Sequence, residues 1–255
     1  MSWRAYHRLQ GLIFVGWGLL ILYFIVSGKI LFYINRRFVF LILLTGVVFI
    51  GLAAVVLTAL KKEKQPDGGA NAHPHEEVET HSENRPPAWS LLILVLPLIL
   101  GTIIPPRPLG SSVLANRGVN ATAPLGKLQN SSTTAIGLSS SEKSVLDWVA
   151  DFNSGADPTP YVGQQASVTG FVYHDPRMSK DQFLVGRFVV TCCVADALAL
   201  GMVVDWPGAD KLVDNTWVQV KGAVDIASLG GERLPGIGAS EVKPINTPDQ
   251  PYLFP

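Results

Sequence analysis

Two adjacent cysteines, Cys192 and Cys193, are the side chains of this sequence best suited to chemistry, and they are its only cysteines. Thiolates act as nucleophiles and as ligands for soft metal ions. Two thiolates make half of a tetrahedral zinc site, and Asp196, in the stretch TCCVADA, offers a third ligand. The pair lacks the C-x-x-C spacing that is typical of zinc sites. Two interpretations therefore stay open, a metal or thiol centre and two packed side chains.

Whether the pair lies within a strand or at its end decides between these interpretations. Neighbouring residues within a strand point to opposite faces, so one thiol would face the core and the other would face solvent. If the strand ends at the pair, both sulfurs can converge on one ligand. A disulfide between adjacent residues needs a strained ring and is easily reduced. We interpret His174, before an Asp-Pro turn, as a strand-end residue, because a hairpin would separate it from the cysteines by the length of a strand.

A second set of candidate ligands lies in the stretch HPHEEVETH. His73, His75 and His81, with the neighbouring glutamates, offer nitrogen and oxygen donors for zinc, nickel or copper. On a flexible loop these side chains would form a weak capture arm. The alternative is an ordinary solvated acidic linker. The sequence does not identify the cofactor, and zinc is one ion that both candidate sites could bind.

The sequence contains none of the motifs that mark common enzyme sites: no nucleophile elbow, no phosphate-binding glycine loop and no HExxH. We therefore expect a protein that is not an enzyme. The formal net charge of zero divides unevenly, because residues 141–255 hold 8 Lys and Arg against 14 Asp and Glu. An acidic surface of this kind argues against nucleic acid as a partner.

Three uncharged apolar stretches must position these groups, at residues 12–28, 38–60 and 88–104. A helix of about 20 apolar residues crosses the hydrocarbon core of a bilayer, so we predict three transmembrane helices in a membrane domain over 1–106. The first is interpreted as an uncleaved anchor, since its apolar run is too long for a signal peptide. The polar linker 61–87 is predicted to be disordered, and 107–138, rich in Pro, Gly, Ser and Thr, to be a flexible tether.

Three spans place the N-terminus and the C-terminal domain on opposite sides of a cell membrane, in a multi-pass arrangement. The basic residues that flank the spans are almost evenly divided between the two sides. The cluster around Lys61, Lys62 and Lys64 favours a cytoplasmic linker under the positive-inside rule. The C-terminal domain is therefore expected to be extracytoplasmic.

The C-terminal domain, 139–255, begins with a predicted helix, because Ser139 and Glu142 fit a capping box before an apolar helical face. After this helix the apolar residues alternate with a period of two, and five segments are predicted to be strands. These are QQASVTGFVYH, QFLVGRFVVTCC, LGMVVDW, TWVQVKGAV and SEVKPIN, with the glycine-rich stretch LGGERLPGIG predicted as a turn. Five short strands with internal glycines predict a small all-β barrel of the oligonucleotide/oligosaccharide-binding (OB) type.

Several blocks, in this order, resemble the YcgQ family of bacterial membrane proteins. They are GKILFYINRRF, PLILGTIIPPRPLGSSVLANRGVN, GFVYHDP, FLVGRFVVTCCVADALALGMVV, WVQVKGAV and the terminal PYLFP. The resemblance implies an accessory subunit of a two-component permease whose partner is a larger multi-span permease encoded nearby. Zinc-responsive control of some members implies a link to zinc transport or homeostasis. A stand-alone membrane-anchored thiol or metal protein and a structural envelope protein remain the alternatives.

Overall fold

In the computed structural model, residues 3–62, 89–118, 139–154 and 159–254 are described. The chain forms two compact units. One, the helical unit, consists of Met1–Ile30 and Arg37–Pro106. The other, the barrel unit, consists of Leu31–Arg36 and Arg107–Pro255. A short segment from the N-terminal part of the sequence therefore belongs to the C-terminal unit.

The helical unit contains α1 (Trp3–Val26), α2 (Val39–Lys62) and α3 (Ser90–Ile103). Within the described part of the chain, two helices are long and apolar enough to cross a membrane, and they correspond to α1 and α2. Helix α3 is apolar, but its 14 residues rise only about 21 Å, which is less than the roughly 30 Å of a hydrocarbon core. The expected count of three long spans is therefore not met, because the third predicted segment forms a short helix.

Helices α1 and α2 pack closely where a glycine removes a side chain. A Cβ on Gly18 would lie 2.6 Å from Ile50 Cγ1, so only glycine allows this approach. Helix α1 also contacts α3, since Trp17 Nε1 donates a hydrogen bond of 3.1 Å to Leu94 O. Large apolar side chains on the outer faces stay exposed, including Phe40 and Leu92. An apolar exterior of this extent is typical of a lipid-facing surface.

The barrel unit is built on six strands. They are β1 (Gln165–Tyr173), β2 (Gln182–Val189), β3 (Leu198–Asp205), β4 (Trp217–Leu229), β5 (Glu232–Pro244) and β6 (Tyr252–Leu253). The first five close into a barrel in the order β1-β4-β5-β3-β2, with β2 pairing back to β1. The β3–β5 pair is parallel and the other pairs of the barrel are antiparallel. This closed five-stranded barrel confirms the prediction of a barrel and is consistent with the OB type.

The predicted turn over LGGERLPGIG is wrong in length. Strand β4 continues to Leu229 and β5 starts at Glu232, so the turn consists of Gly230 and Gly231 alone. Their φ angles of 61° and 89° are those of a tight two-residue hairpin, which needs positive φ and favours Gly-Gly. The second predicted strand was also too long, because β2 ends at Val189, before the cysteines.

Residues 107–118, expected to be part of a flexible tether, instead contain helix α4 (Ser111–Arg117). Leu114 of this helix is buried against the outside of the barrel, and Ser111 N donates to Asn215 Oδ1 at 2.7 Å. The buried Leu114 anchors this segment on the barrel, although its composition alone predicts a linker. The rest of the expected tether, 119–138, and the expected disordered linker, from residue 63 onward, lie outside the described residues.

The predicted capping box at Ser139 and Glu142 is present, but it caps a short 3-10 turn, Ser140–Glu142. The helix proper, α5 (Val145–Ser154), begins later and has its own cap. Ser144 N donates to Asp147 Oδ2 at 2.7 Å, and Asp147 N donates to Ser144 Oγ at 3.4 Å. The apolar face of α5 then packs Trp148 against the barrel interior.

Strand β2 is buried on both faces, which explains its nearly continuous apolar sequence FLVGRFVV. Phe183 and Val185 point into the barrel interior, whereas Leu184 and Phe188 join a second cluster on its outside. Tyr252 of β6 belongs to the same outer cluster. The two clusters together hold β2 rigidly and thereby position the turn that follows it.

Candidate functional site

The cysteines lie just beyond the end of β2, in a tight turn. A 3-10 turn, Val194–Asp196, follows them directly and leads into β3. Because the strand has ended, the two side chains do not alternate across a sheet. The donor atoms of Cys192, Cys193 and Asp196 all lie within 4.8 Å of one another. The structure therefore brings together the three side chains that sequence reasoning grouped as possible metal ligands, and we call them the cysteine turn.

The Asp196 carboxylate organises this turn. Its Oδ1 accepts a hydrogen bond from Thr191 N at 3.0 Å. Its Oδ2 accepts from Cys192 N at 2.7 Å and from Cys193 N at 3.4 Å. In return, the Cys193 sulfur accepts a hydrogen bond from the Asp196 backbone N–H, which completes a capping box. Charge-assisted hydrogen bonds of this kind fix the backbone from which both sulfurs project.

The two thiols are accessible and neither forms a disulfide, with Cys192 exposed and Cys193 half-buried. Desolvation, the adjacent Cys193 thiol and the Asp196 charge together raise the pKa of Cys192. A raised pKa keeps this thiol protonated at neutral pH and makes it a poor nucleophile. The arrangement suits an exposed ligand pair, which a metal ion deprotonates on binding, better than a catalytic thiolate.

The connector segment, Leu31–Arg36, lies along the cysteine turn although more than 150 positions separate them in the sequence. Ile34 pairs with Cys193 in an isolated antiparallel bridge. Val194 N donates to Tyr33 O at 2.9 Å, and Asn35 N donates to Cys192 O at 2.9 Å. The segment that joins α1 to α2 thus supplies a short additional strand to the site.

Asn35 anchors this pairing with its side chain. It is 3% exposed, and its Nδ2 donates to Thr191 O at 3.0 Å and to Val190 O at 3.4 Å. Both carbonyls follow directly after β2, where the ladder of that strand ends. Sequence reasoning missed Asn35, because no local pattern indicates a partner so distant. The one available signal was its presence in the block GKILFYINRRF.

The C-terminal block PYLFP contacts the end of β2 and the connector segment. Val190 N donates to Leu253 O at 2.9 Å, which extends the parallel pairing of β6 with β2. The buried Tyr252 hydroxyl donates to Phe32 O at 3.1 Å and accepts from Leu109 N at 2.9 Å. Burial also raises the pKa of Tyr252, so its hydroxyl stays protonated and can donate. Three blocks that are distant in the sequence therefore converge around one turn.

The other histidines considered from the sequence either lie away from the cysteine turn or lie outside the described residues. His174 follows β1 at the opposite end of β2 from the cysteines, as the sequence predicted. Its ring nitrogens lie 2.8 Å from Asp214 Oδ1 and 3.0 Å from Ala209 O, which is a structural role between loops. His73, His75 and His81 lie outside the described residues.

Comparison with known proteins identifies the family. Residues 127–255 match the DUF1980 C-terminal domain and residues 9–120 match the DUF1980 N-terminal domain. The chain belongs to the DUF1980 family, and the relatives below confirm the resemblance to YcgQ. No solved structure matches the chain.

Two curated relatives cover almost the whole chain. The "UPF0703 protein YcgQ" of Bacillus subtilis (strain 168) is 24% identical over 263 residues, which are 89% of this chain and 92% of that protein. The "Putative two-component membrane permease complex subunit" of Streptococcus mutans serotype c (strain ATCC 700610 / UA159) is 24% identical over 278 residues. That alignment covers 95% of this chain and 97% of the relative.

Proposed function

We propose that this protein is the accessory subunit of a two-component membrane permease complex. The observation that carries the proposal is the match to the Streptococcus mutans protein along 95% of this chain, since the name of that relative describes a subunit of a two-component membrane permease complex. The exposed apolar surface of the helical unit supports a place in the bilayer. In this proposal the subunit has no enzymatic role, and the accessible thiols of the cysteine turn act as ligands.

The pairing of the connector segment with the cysteine turn supports a three-span topology. The connector joins α1 to α2, so it lies on one side of the membrane if both helices span it. In this proposal the pairing of Ile34 with Cys193 argues for a barrel on that same side. The chain leaves α2 on the opposite side and must cross again, and α3 is the helix available. Local thinning of the bilayer accommodates a helix as short as α3.

This topology assigns the two sets of candidate ligands to opposite faces of the membrane. In this proposal the polar linker after α2, with His73, His75 and His81, is on the opposite side of the bilayer from Cys192 and Cys193. Lys61 and Lys62 at the end of α2 favour the cytoplasmic side for the linker. The barrel is therefore extracytoplasmic in this proposal.

The finer part of the proposal is that the cysteine turn captures a metal ion for the complex. The structure supports it with two accessible sulfurs and a carboxylate within 4.8 Å. Zinc is the ion that the sequence resemblance implies. A partner subunit would receive the ion by exchange of ligands, which an exposed site permits and a closed tetrahedral site resists.

Purification of the tagged full-length chain in mild detergent tests the subunit assignment. A multi-span membrane protein is expected to co-purify in a fixed ratio, and the double variant Cys192→Ser/Cys193→Ser is expected to retain it, since the helices make the contact. A chain that elutes alone from several mild detergents would contradict the assignment and favour the stand-alone thiol or metal protein.

Labelling of intact cells with a membrane-impermeant thiol reagent tests the topology. Wild-type protein is expected to react, because Cys192 is exposed. The matched control is Ser82→Cys in the Cys192→Ser/Cys193→Ser background, which places one thiol in the linker. This control should react only after the cells are permeabilised. The reverse pattern would invert the orientation, and equal labelling of both proteins in intact cells would contradict opposite faces.

A further inference from the structure

We infer that the Cys192–Cys193 pair selects a soft monovalent cation, Cu(I), bound through its two sulfurs, with Asp196 holding the turn and not the ion. This inference rests on the metal-capture role proposed above and replaces zinc as the ion. It follows from the number of donors, from the existing bonds of Asp196 and from the accessibility of the sulfurs.

The site has too few donors for zinc. Structural zinc sites use four protein ligands, and catalytic ones use at least three. In the described part of the chain, the cluster of possible metal ligands at this turn has three members, Cys192, Cys193 and Asp196. The histidines of the linker lie across the membrane in the proposed topology.

The Asp196 carboxylate already accepts hydrogen bonds from the backbone. Its two oxygens accept three N–H groups, from Thr191, Cys192 and Cys193. Turning this carboxylate towards an ion would strip acceptors from three amides in the turn that presents the sulfurs. Leaving donors without a partner costs free energy, so the carboxylate serves the site best where it is. The working donor set is therefore two sulfurs.

Two sulfur donors suit a soft cation of low coordination number. Thiolates select Cu(I) and zinc among biological metals, and of the two zinc needs the larger set of protein ligands. Binding releases both thiol protons to solvent, so one Cu(I) and two thiols give a bis-thiolate complex of charge −1 and two protons. No electron is transferred in this step, and copper enters and leaves as Cu(I). The outward position of Cys192 allows the ion to be passed on.

Anaerobic titration of the full-length chain in detergent tests this assignment. The chain carries His73→Ala, His75→Ala and His81→Ala to remove the linker donors, and Cu(I) is supplied from a chromogenic chelator such as bicinchoninate. We expect one Cu(I) per chain, with ultraviolet thiolate-to-copper charge-transfer absorption. X-ray absorption at the copper edge should show two sulfur neighbours without an oxygen ligand.

Variants separate ligands from the group that positions them. Cys192→Ser and Cys193→Ser should each weaken Cu(I) binding by more than about 100-fold, since half of the donor set is lost. Asp196→Asn should weaken it only about 10-fold, as expected for a residue that orients ligands, and should leave two sulfur neighbours. Asp225→Asn, an exposed acid elsewhere on the barrel, is the matched control and should change nothing.

The outcomes distinguish this inference from the proposed function. Zinc, added with an indicator dye, should bind the same chain at least about 100-fold more weakly than Cu(I). Tight 1:1 zinc binding, or an oxygen ligand on copper that Asp196→Asn removes, would overturn the inference and leave metal capture standing. Absence of any metal binding above the Cys192→Ser/Cys193→Ser chain would overturn both, while co-purification of a permease would still support the subunit assignment.

Discussion

The helical unit exposes large apolar side chains, whereas the barrel unit buries side chains of the same kind. Phe40 of α2 is 67% exposed, whereas Phe183 of β2 is 0% exposed. The first unit turns its large apolar groups outward, and the second buries them on both faces of a strand. The difference shows that the helical unit exposes large apolar side chains, while the barrel unit buries them in its own core. A rigid barrel can therefore hold a polar turn in a fixed geometry.

The largest expected effect is on the stability of the barrel, and it appears when the same substitution is made at two phenylalanines. Phe183→Ala should lower the free energy of unfolding of the barrel by about 3–5 kcal/mol, because it leaves a cavity in a closed core. Phe40→Ala, the matched change on α2, should leave barrel stability unchanged. Chemical unfolding in detergent, followed by tryptophan fluorescence, to which the buried Trp148 contributes, measures both. Equal loss in the two variants would show that the units do not differ as described.

The next effect concerns the connector segment. Asn35→Ala removes the side-chain donor to Thr191 O and Val190 O, so stability should fall by about 1–3 kcal/mol. Release of the turn should also raise the rate at which a maleimide labels Cys193, which is half-buried. Asn153→Ala, at an exposed position of α5, is the control. An unchanged labelling rate in Asn35→Ala would mean that the connector does not hold the turn.

A smaller effect on stability is expected when alanine replaces one of two glycines. Gly231→Ala places a Cβ at a φ of 89° in the β4–β5 turn, which should cost about 1–2 kcal/mol. Gly51→Ala in α2 meets no atom within 4 Å and should not destabilise the chain. Thermal unfolding of the two variants in the same detergent measures the difference. A neutral Gly231→Ala would contradict the tight-turn geometry.

The smallest effect depends on pH. The Arg177 hydrogen bond, above all, holds the pKa of the Asp175 carboxyl below its usual range. Its folded-state pKa is therefore lower than its unfolded value, so the carboxylate stabilises the fold above about pH 4 and loses this effect as pH falls further. A pair with an exposed Arg177 contributes at most about 1 kcal/mol.

The matched variant for this prediction is Asp175→Asn. Its stability between pH 5 and pH 3, measured by chemical unfolding, should fall less steeply than that of the wild-type chain. Parallel curves for the two proteins would show that the Asp175–Arg177 pair does not contribute.

The comparison between units also explains which predictions from sequence succeeded. The apolar runs predicted α1 and α2, and the period-two segments predicted the barrel strands, because both patterns are repeated along neighbouring residues. The errors lie where local composition and tertiary contact disagree. Residues 111–117 have the composition of a linker, but burial of Leu114 makes them helical. The length of the Gly230–Gly231 turn was likewise set by the pairing of β4 with β5.

The sequence by itself determined the apolar helices, the strand-rich domain and the three side chains of the cysteine turn, because hydrophobic periodicity and residue chemistry are local properties. Only the tertiary structure decided that β2 ends before Cys192, that Asp196 caps the turn, and that Asn35 lies against it. These contacts depend on which buried donors and acceptors find partners once the barrel has closed. Such pairing links residues more than 150 positions apart, and no local pattern encodes it.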